Sequence, residues 1–273
     1  VSLLASPRKH SLRSAAVGRL RETGSVFAED EADLLLATAA TPAALDAMVE
    51  RRAAGLPLEQ VLGWAEFCGL RVAVAPGVFV PRRRTEFLAA RAVALATAVP
   101  PGARAVVVDL CCGSGAVGAA LAAAVPAPGA ELHAADIDPA AVRCARRNIP
   151  ATVGHVHQGD LYEALPDTVR GRIDVLVANV PYVPTDEVGL LPPEAREHEP
   201  LVALDGGADG LDILRRVTAG APRWLAPGGH LLVETSARQA AAAAEVFHRS
   251  GLVPRVVTSE EQHATVVIGT PAA

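Results

Sequence analysis

The run Asn179-Val180-Pro181-Tyr182 holds the residue types needed to grip an NH2 group. The side-chain oxygen of Asn179 can accept one N–H, and the main-chain carbonyl of Val180 can accept the other. Pro181 restricts the backbone and so keeps both acceptors aimed. Tyr182 supplies a flat face for a planar amide or base. The apolar run Ile173–Ala178 precedes these residues and reads as a buried parallel strand. The predicted acceptor site is therefore Asn179, Val180, Pro181 and Tyr182, at the carboxyl end of a strand.

A second chemical signal lies upstream. Val106–Asp109 ends a strand, Gly113-Ser114-Gly115 makes a glycine turn, and a helix begins at Ala116. Glycines let a ligand approach the backbone closely. Asp109 suits a cationic ligand. The next strand ends at Asp136-Ile137, where a carboxylate can accept both hydroxyls of a ribose. A third ends near Asp160-Leu161, with Asp160 placed to bond an adenine amine and Leu161 to lie against the ring. S-adenosylmethionine carries a ribose, an adenine, an ammonium and a sulfonium. The predicted donor set is Asp109, Cys111, Gly113, Ser114, Gly115, Asp136, Ile137, Asp160 and Leu161, with Asn179 shared between donor and acceptor.

Another cofactor fits part of this pattern. Gly113–Gly118 also satisfies the dinucleotide fingerprint G-x-G-x-x-G, with an acid downstream. An NAD(P)-dependent oxidoreductase therefore stays open on these residues. Such an enzyme has no use for Asn-x-Pro-Tyr after the fourth strand.

These residues need a scaffold that lines up strand ends. Helical spacing over Glu29–Thr38 and Ala43–Ala54, with Thr41-Pro42 as a cap, predicts helices in residues 1–62. Phe67–Val74 and Val78–Val80, split by Pro76-Gly77, predict a β-hairpin linker within residues 63–81. From residue 82 to 273 strands and helices alternate: strands at Ala105–Leu110, Glu131–Asp136, Ile173–Ala178 and His230–Thr235, helices at Ala116–Val125, Pro139–Asn148, Gly210–Ala221 and Ala237–Ser250. Ala226–Gly229 reads as a turn, and Val253–Thr258 with Ala264–Ile268 as a closing antiparallel pair. The predicted fold class is α/β, a doubly wound Rossmann-like sheet with a small helical N-terminal domain.

Composition narrows the field. Of 273 residues, 51% are hydrophobic, enough for a sizeable core. A net charge of −5 weighs against stable nucleic-acid binding. The four cysteines lack metal-ligand spacing, so no metal is expected. Glu197-His198-Glu199 does not converge on one helix face and reads as a polar loop. His155 and His157 read as edge or surface residues. Arg82–Arg84 read as a solvated turn, with contact to an acidic partner or RNA as the alternative. The uncharged stretch Leu110–Ala130 is broken by Gly and Pro, and no signal peptide is recognisable; a cytoplasmic monomer is expected.

With these motifs in place, the chain resembles the protein N5-glutamine methyltransferases of the release-factor-modifying type. The likeness runs through Arg51–Gly63, Gly69-Leu70, Pro76–Arg82, Thr85-Glu86, Glu199-Pro200, Ala203-Leu204, Gly206–Leu211, Pro227–Gly229 and Glu234. It implies a class I methyltransferase sheet, S-adenosylmethionine as donor, and a glutamine side chain in a protein such as a peptide chain release factor as acceptor. The N-terminal domain would recognise that protein. An exocyclic amine of a nucleobase or a small natural product remains an alternative acceptor, as does donor binding without turnover. Three departures stand out: Val180 replaces a Pro of the family's Asn-Pro-Pro-Tyr, Cys111 replaces a glycine, and Arg83 and Arg84 replace a Pro and an acid.

Overall fold

The computed structural model describes residues 7–100, 103–125 and 129–272. Residues 1–6, at the head of the expected helical domain, and 126–128, within Leu110–Ala130, lie outside the described residues.

Four helices open the chain: α1 (Pro7–Glu22), α2 (Ala28–Thr38), α3 (Pro42–Ala53) and α4 (Leu58–Leu62). Their apolar faces meet in one cluster around Leu20, Leu35, Leu45 and Val61. Thr41 caps α3, its hydroxyl accepting from the Ala44 N–H at 3.1 Å, with Pro42 preset for the first turn.

A hairpin follows, but one segment earlier than its sequence suggests. β1 (Trp64–Phe67) pairs with β2 (Leu70–Ala73), closed by Cys68 and Gly69 at φ of 49° and 73°. Two positive-φ residues make the hairpin turn whose twist matches the strands. Cysteine rarely takes that conformation, so the sequence hid the turn. Pro76-Gly77 does form a turn, with Val78 N–H bonded to the Ala75 carbonyl at 3.1 Å, but no strand pairing follows it.

α5 (Thr85–Thr97) was not distinguished in the sequence, because its alanines give no clear stripe. Then come β3 (Ala105–Leu110), α6 (Ala116–Ala124), β4 (Ala130–Asp136), α7 (Pro139–Asn148), β5 (Gly154–Gln158), β6 (Ile173–Ala178), α8 (Pro193–His198), α9 (Asp212–Trp224), β7 (Leu225–Thr235), α10 (Ala240–Arg249), β8 (Leu252–Ser259) and β9 (Ala264–Pro271). The seven-stranded sheet has the order β5-β4-β3-β6-β7-β9-β8. The first five are parallel, and β9 runs antiparallel to both β7 and β8. Ala226–Gly229 is not a break before the strand. Pairing jumps from Ile173–Leu225 to Val175–His230, so the segment bulges out of β7.

The fold class is as expected: a doubly wound α/β sheet with an apolar cluster on each face. Strand order reverses between β3 and β6, whose last residues Leu110 and Ala178 are direct neighbours. A crevice opens at that reversal, beyond the carboxyl ends of the strands. The glycine turn and Asn179 are thereby set side by side.

His155 and His157 lie on the edge strand β5, and β4 adds a third ring. His133, 4% exposed, has its Nδ1 3.0 Å from His157 Nε2 and its Nε2 3.2 Å from Glu131 Oε1. Burial pushes both His133 and His157 below the ordinary histidine value. The fold therefore favours their neutral forms. Their contribution to stability is full above the ordinary value of 6.5 and is lost as pH falls through the lower folded values. Urea unfolding between about pH 7.5 and about pH 5 should show the wild type losing more stability than His133→Gln, which cannot titrate.

Candidate active site

A cavity of about 770 Å³ sits on the strand reversal. Asp109, Cys111, Gly113, Ser114, Asp136, Ile137, Asp160, Leu161, Asn179, Val180, Pro181 and Tyr182 all line it. One space thus gathers both predicted residue sets. Of those residues only Gly115 stays behind the wall, and its role is to shape the turn. At φ +78°, a Cβ there would lie 2.9 Å from the Ala145 Cβ. Glycine permits both the left-handed backbone and the contact with α7.

Backbone donors hold the acids at the strand ends. Gly118 N–H donates to Asp109 Oδ2 at 3.0 Å. Asp136 Oδ2 accepts from Gly113 N–H at 2.8 Å, and its Oδ1 from Asp138 N–H at 2.9 Å. Each Asp136 oxygen keeps a lone pair for a further donor. Asp160 is held by a side chain instead: its Oδ2 accepts from Arg216 Nη2 at 2.7 Å, a pairing without a local signature in the sequence. Asn148, at the end of α7, donates to the carbonyls of Ser114 (2.8 Å) and Ala73 (2.9 Å) and accepts from Ala73 N–H (2.8 Å). It splices the hairpin to the glycine turn. An asparagine at a helix end looks like a cap in sequence, and nothing marked this one as a splice.

The acceptor turn is braced from behind. Gln239 Nε2 donates to the carbonyls of Tyr182 (3.0 Å) and Asp209 (3.2 Å). Val183 N–H reaches the Leu204 carbonyl at 3.1 Å, and Gly206 N–H reaches the Val183 carbonyl at 2.8 Å. A Cβ on Gly210 would fall 2.3 Å from the Tyr182 carbonyl oxygen. Val180 is buried, so the position that lacks the family's proline is held by packing.

Two expectations need correcting. Glu199 is not a loop residue in water. It is buried, accepting from Val80 N–H at 3.1 Å and from Arg82 Nη2 at 2.6 Å. Nor are Arg82–Arg84 simply a solvated turn, because Arg84 Nε donates to the buried Glu234 at 3.0 Å and its Nη2 to the Tyr182 hydroxyl at 2.5 Å. Carboxylates this deep need such partners. Arg82 and Arg84 look like surface charge in sequence because their carboxylate partners lie more than a hundred residues away.

The cysteine side chains are free thiols. Burial raises the Cys111 thiol far above its ordinary value, so it stays a neutral wall group. Thr85 Oγ1 and Thr235 Oγ1 are buried without a partner among the described residues, and both residues line the cavity. Unmet polar atoms there fit a ligand rich in hydrogen-bonding groups.

This sheet, with donor-type acids beside a glycine turn and Asn-x-Pro-Tyr on the neighbouring strand end, defines a methyltransferase dependent on S-adenosylmethionine. Residues 69–190 match the family described as "Methyltransferase small domain". The release factor glutamine methyltransferase of Geobacter sulfurreducens (strain ATCC 51573 / DSM 12127 / PCA) is 39% identical over 229 residues, covering 83% of this chain and 77% of that protein. The 4-amino-L-phenylalanine/4-methylamino-L-phenylalanine methyltransferase of Streptomyces pristinaespiralis is 41% identical over 207 residues, covering 74% and 69%. The ribosomal protein L11 methylase of Lactobacillus delbrueckii subsp. bulgaricus shares the fold, with a TM-score of 0.51 at 15% identity over 74% of this chain and 86% of that one. The chain belongs to the release factor glutamine methyltransferase family, and its cofactor is S-adenosylmethionine. The oxidoreductase alternative falls with that finding.

Burial pushes the Asp109 carboxyl up to about 7; the Gly118 N–H opposes the rise and Asp136 adds to it. In the ligand-free fold its contribution to stability is therefore full below the ordinary 3.8 and lost as pH rises through about 7. A cation beside the carboxylate favours its ionised form. Binding of S-adenosylmethionine near pH 7 should release protons and tighten as pH rises from about 6 to about 8. Calorimetry in two buffers of different ionisation enthalpy checks this, and Asp109→Asn should abolish the proton release.

Proposed function

We propose that this enzyme methylates the side-chain amide nitrogen of a glutamine in a protein, most readily a peptide chain release factor. The observation that carries the reading is the meeting of Asn179-Val180-Pro181-Tyr182 and the donor residues in one cavity. The two relatives above bear on it through what each acts on, and the family likeness favours the glutamine.

When bound, S-adenosylmethionine supplies a methyl group already activated by a sulfonium. Asp109, Gly113, Ser114, Asp136, Ile137, Asp160 and Leu161 would hold it, with Cys111 as a neutral neighbour. The residues of the acceptor turn do the rest. Asn179 Oδ1 and the Val180 carbonyl accept the two N–H bonds of the carboxamide and aim its nitrogen. An amide lone pair is delocalised, so this orientation matters more here than for an amine. The same two oxygens stabilise the positive charge that develops on nitrogen as the new N–C bond forms and the S–C bond breaks. One N–H proton leaves afterwards, and no strong base is needed before transfer. Tyr182 packs against the amide plane.

The reading includes a monomer working in the cytoplasm without stable nucleic-acid binding. No helix among the described residues is long and apolar enough to cross a membrane. The net charge of −5 argues against a nucleic-acid surface over the whole protein and leaves a local basic groove open.

A second acceptor is a small aromatic amine. An aryl NH2 also presents two N–H bonds on a planar carbon, and the relative from Streptomyces pristinaespiralis is named for such a substrate.

Transfer of labelled methyl to purified release factor, to 4-amino-L-phenylalanine and to tRNA separates the acceptors, and peptide mass spectrometry locates the methyl on a glutamine. Asn179→Ala should lower single-turnover methylation by ~100-fold or more, within the usual cost of losing one oxyanion-type contact, while donor affinity falls far less because the other donor residues remain. Activity within a few-fold of wild type would sink the acceptor reading.

A further inference from the structure

We propose that Arg84 is a positioning residue, whose guanidinium fixes the Tyr182 ring for the acceptor by spanning the phenol and the buried Glu234. This rests on the reading of Tyr182 as the acceptor's platform.

Tyr182 is held at its main chain and at its hydroxyl. Gln239 fixes its carbonyl at 3.0 Å. Arg84 Nη2 grips its hydroxyl at 2.5 Å while Nε holds Glu234 Oε1 at 3.0 Å. The hydroxyl also points at Glu234 Oε1, 3.4 Å away. Glu234 is only 1% exposed and sits near the end of β7, so it cannot follow a moving ring. The anchor is rigid, and the fork transmits that rigidity to the phenol. Burial pushes the phenol up to about 12, so it remains a donor throughout the neutral range. Only a planar fork reaches two acceptors from fixed directions; an ammonium is a single point charge. The family's acid at this position could not do it, because it would face Glu234 with like charge. Among the described residues Glu234 Oε2 has no partner, and Arg84 is the cationic side chain paired with this carboxylate.

The chain has two tyrosines, so a ring-labelled tyrosine NMR spectrum contains two sets of signals, and Tyr162→Phe assigns them. Arg84→Lys keeps a positive charge opposite Glu234 and is the main variant. Arg84→Met is the second, and thermal unfolding of both reports whether the fold survives. In Arg84→Lys the Tyr182 signals should shift and broaden while those of Tyr162 stay in place. Its KM for the methylated acceptor should rise ~10-fold, with kcat within a few-fold and S-adenosylmethionine affinity unchanged. Combined with Tyr182→Phe, the Arg84→Lys loss should not add. Wild-type Tyr182 signals in Arg84→Lys overturn the proposal, whatever the acceptor proves to be. Shifted signals with an unchanged acceptor KM overturn it as well. Because the spectrum needs no acceptor, failure of the glutamine reading and failure of this proposal are told apart.

Discussion

Three carboxylates are carried out of water around one cavity, and each must be matched where it stands. An unpaired buried carboxylate costs on the order of several kcal/mol, offset only by a well-placed partner. Asp109 is matched by a backbone N–H, Glu199 by Arg82 and the Val80 N–H, and Glu234 by Arg84. Arg82 and Arg84 belong to one short segment after the hairpin, yet their partners come from the end of α8 and from β7. That segment is thus pinned across the cavity from two sides. Moving either arginine would strand a buried charge, so the wall is stiff without needing a large hydrophobic contact.

The acceptor turn follows a different rule, close approach of backbone to backbone. Asn179–Val183 is covered by the loop from Leu201 to Leu211, and carbonyls come so near that side chains are excluded at Gly206 and Gly210. A Cβ on Gly206 would lie 2.6 Å from the Pro181 carbonyl oxygen. This covering compensates for the valine at position 180. A proline ring would restrict the turn from within, whereas here the turn is restricted from outside by Gln239 and the glycine loop. An acceptor that must present two N–H bonds to two oxygens gains from either form of stiffness.

Much of this was legible in the sequence, for local reasons. Strand ends, the glycine turn and Asn179-Val180-Pro181-Tyr182 are contiguous signals, and parallel-sheet topology does the work of bringing them together. What stayed hidden depends on pairs remote in the chain. Glu199, Arg82, Arg84 and Asn148 carry no local signature of burial; each reads as an ordinary polar residue until its partner is known. The hairpin was misplaced because Cys68 adopts a backbone conformation that its residue type disfavours. α5 was missed because an alanine-rich helix shows little contrast between its faces.

The same pairing rule reaches the N-terminal helices and ties them to the site. Arg52 on α3 bonds Glu31 through both carboxylate oxygens, at 3.0 and 2.8 Å, and also reaches Glu194 on α8 at 2.6 Å. Gln60 on α4 donates to the carbonyls of Val78 (3.2 Å) and His198 (3.3 Å). The Gln60 contact ends at His198, the residue before Glu199, whose carboxylate accepts from Arg82. Pro57 and Glu59 carry the helical region into the cavity lining itself. The chemistry is set by strand ends that the sheet holds fixed, while the mouth is set by helices joined to it through a few charged and amide side chains. On the proposed reading, a different acceptor would be met at this mouth, around Arg52, Gln60 and the α8 segment, while the two oxygens that would aim its nitrogen stay in place.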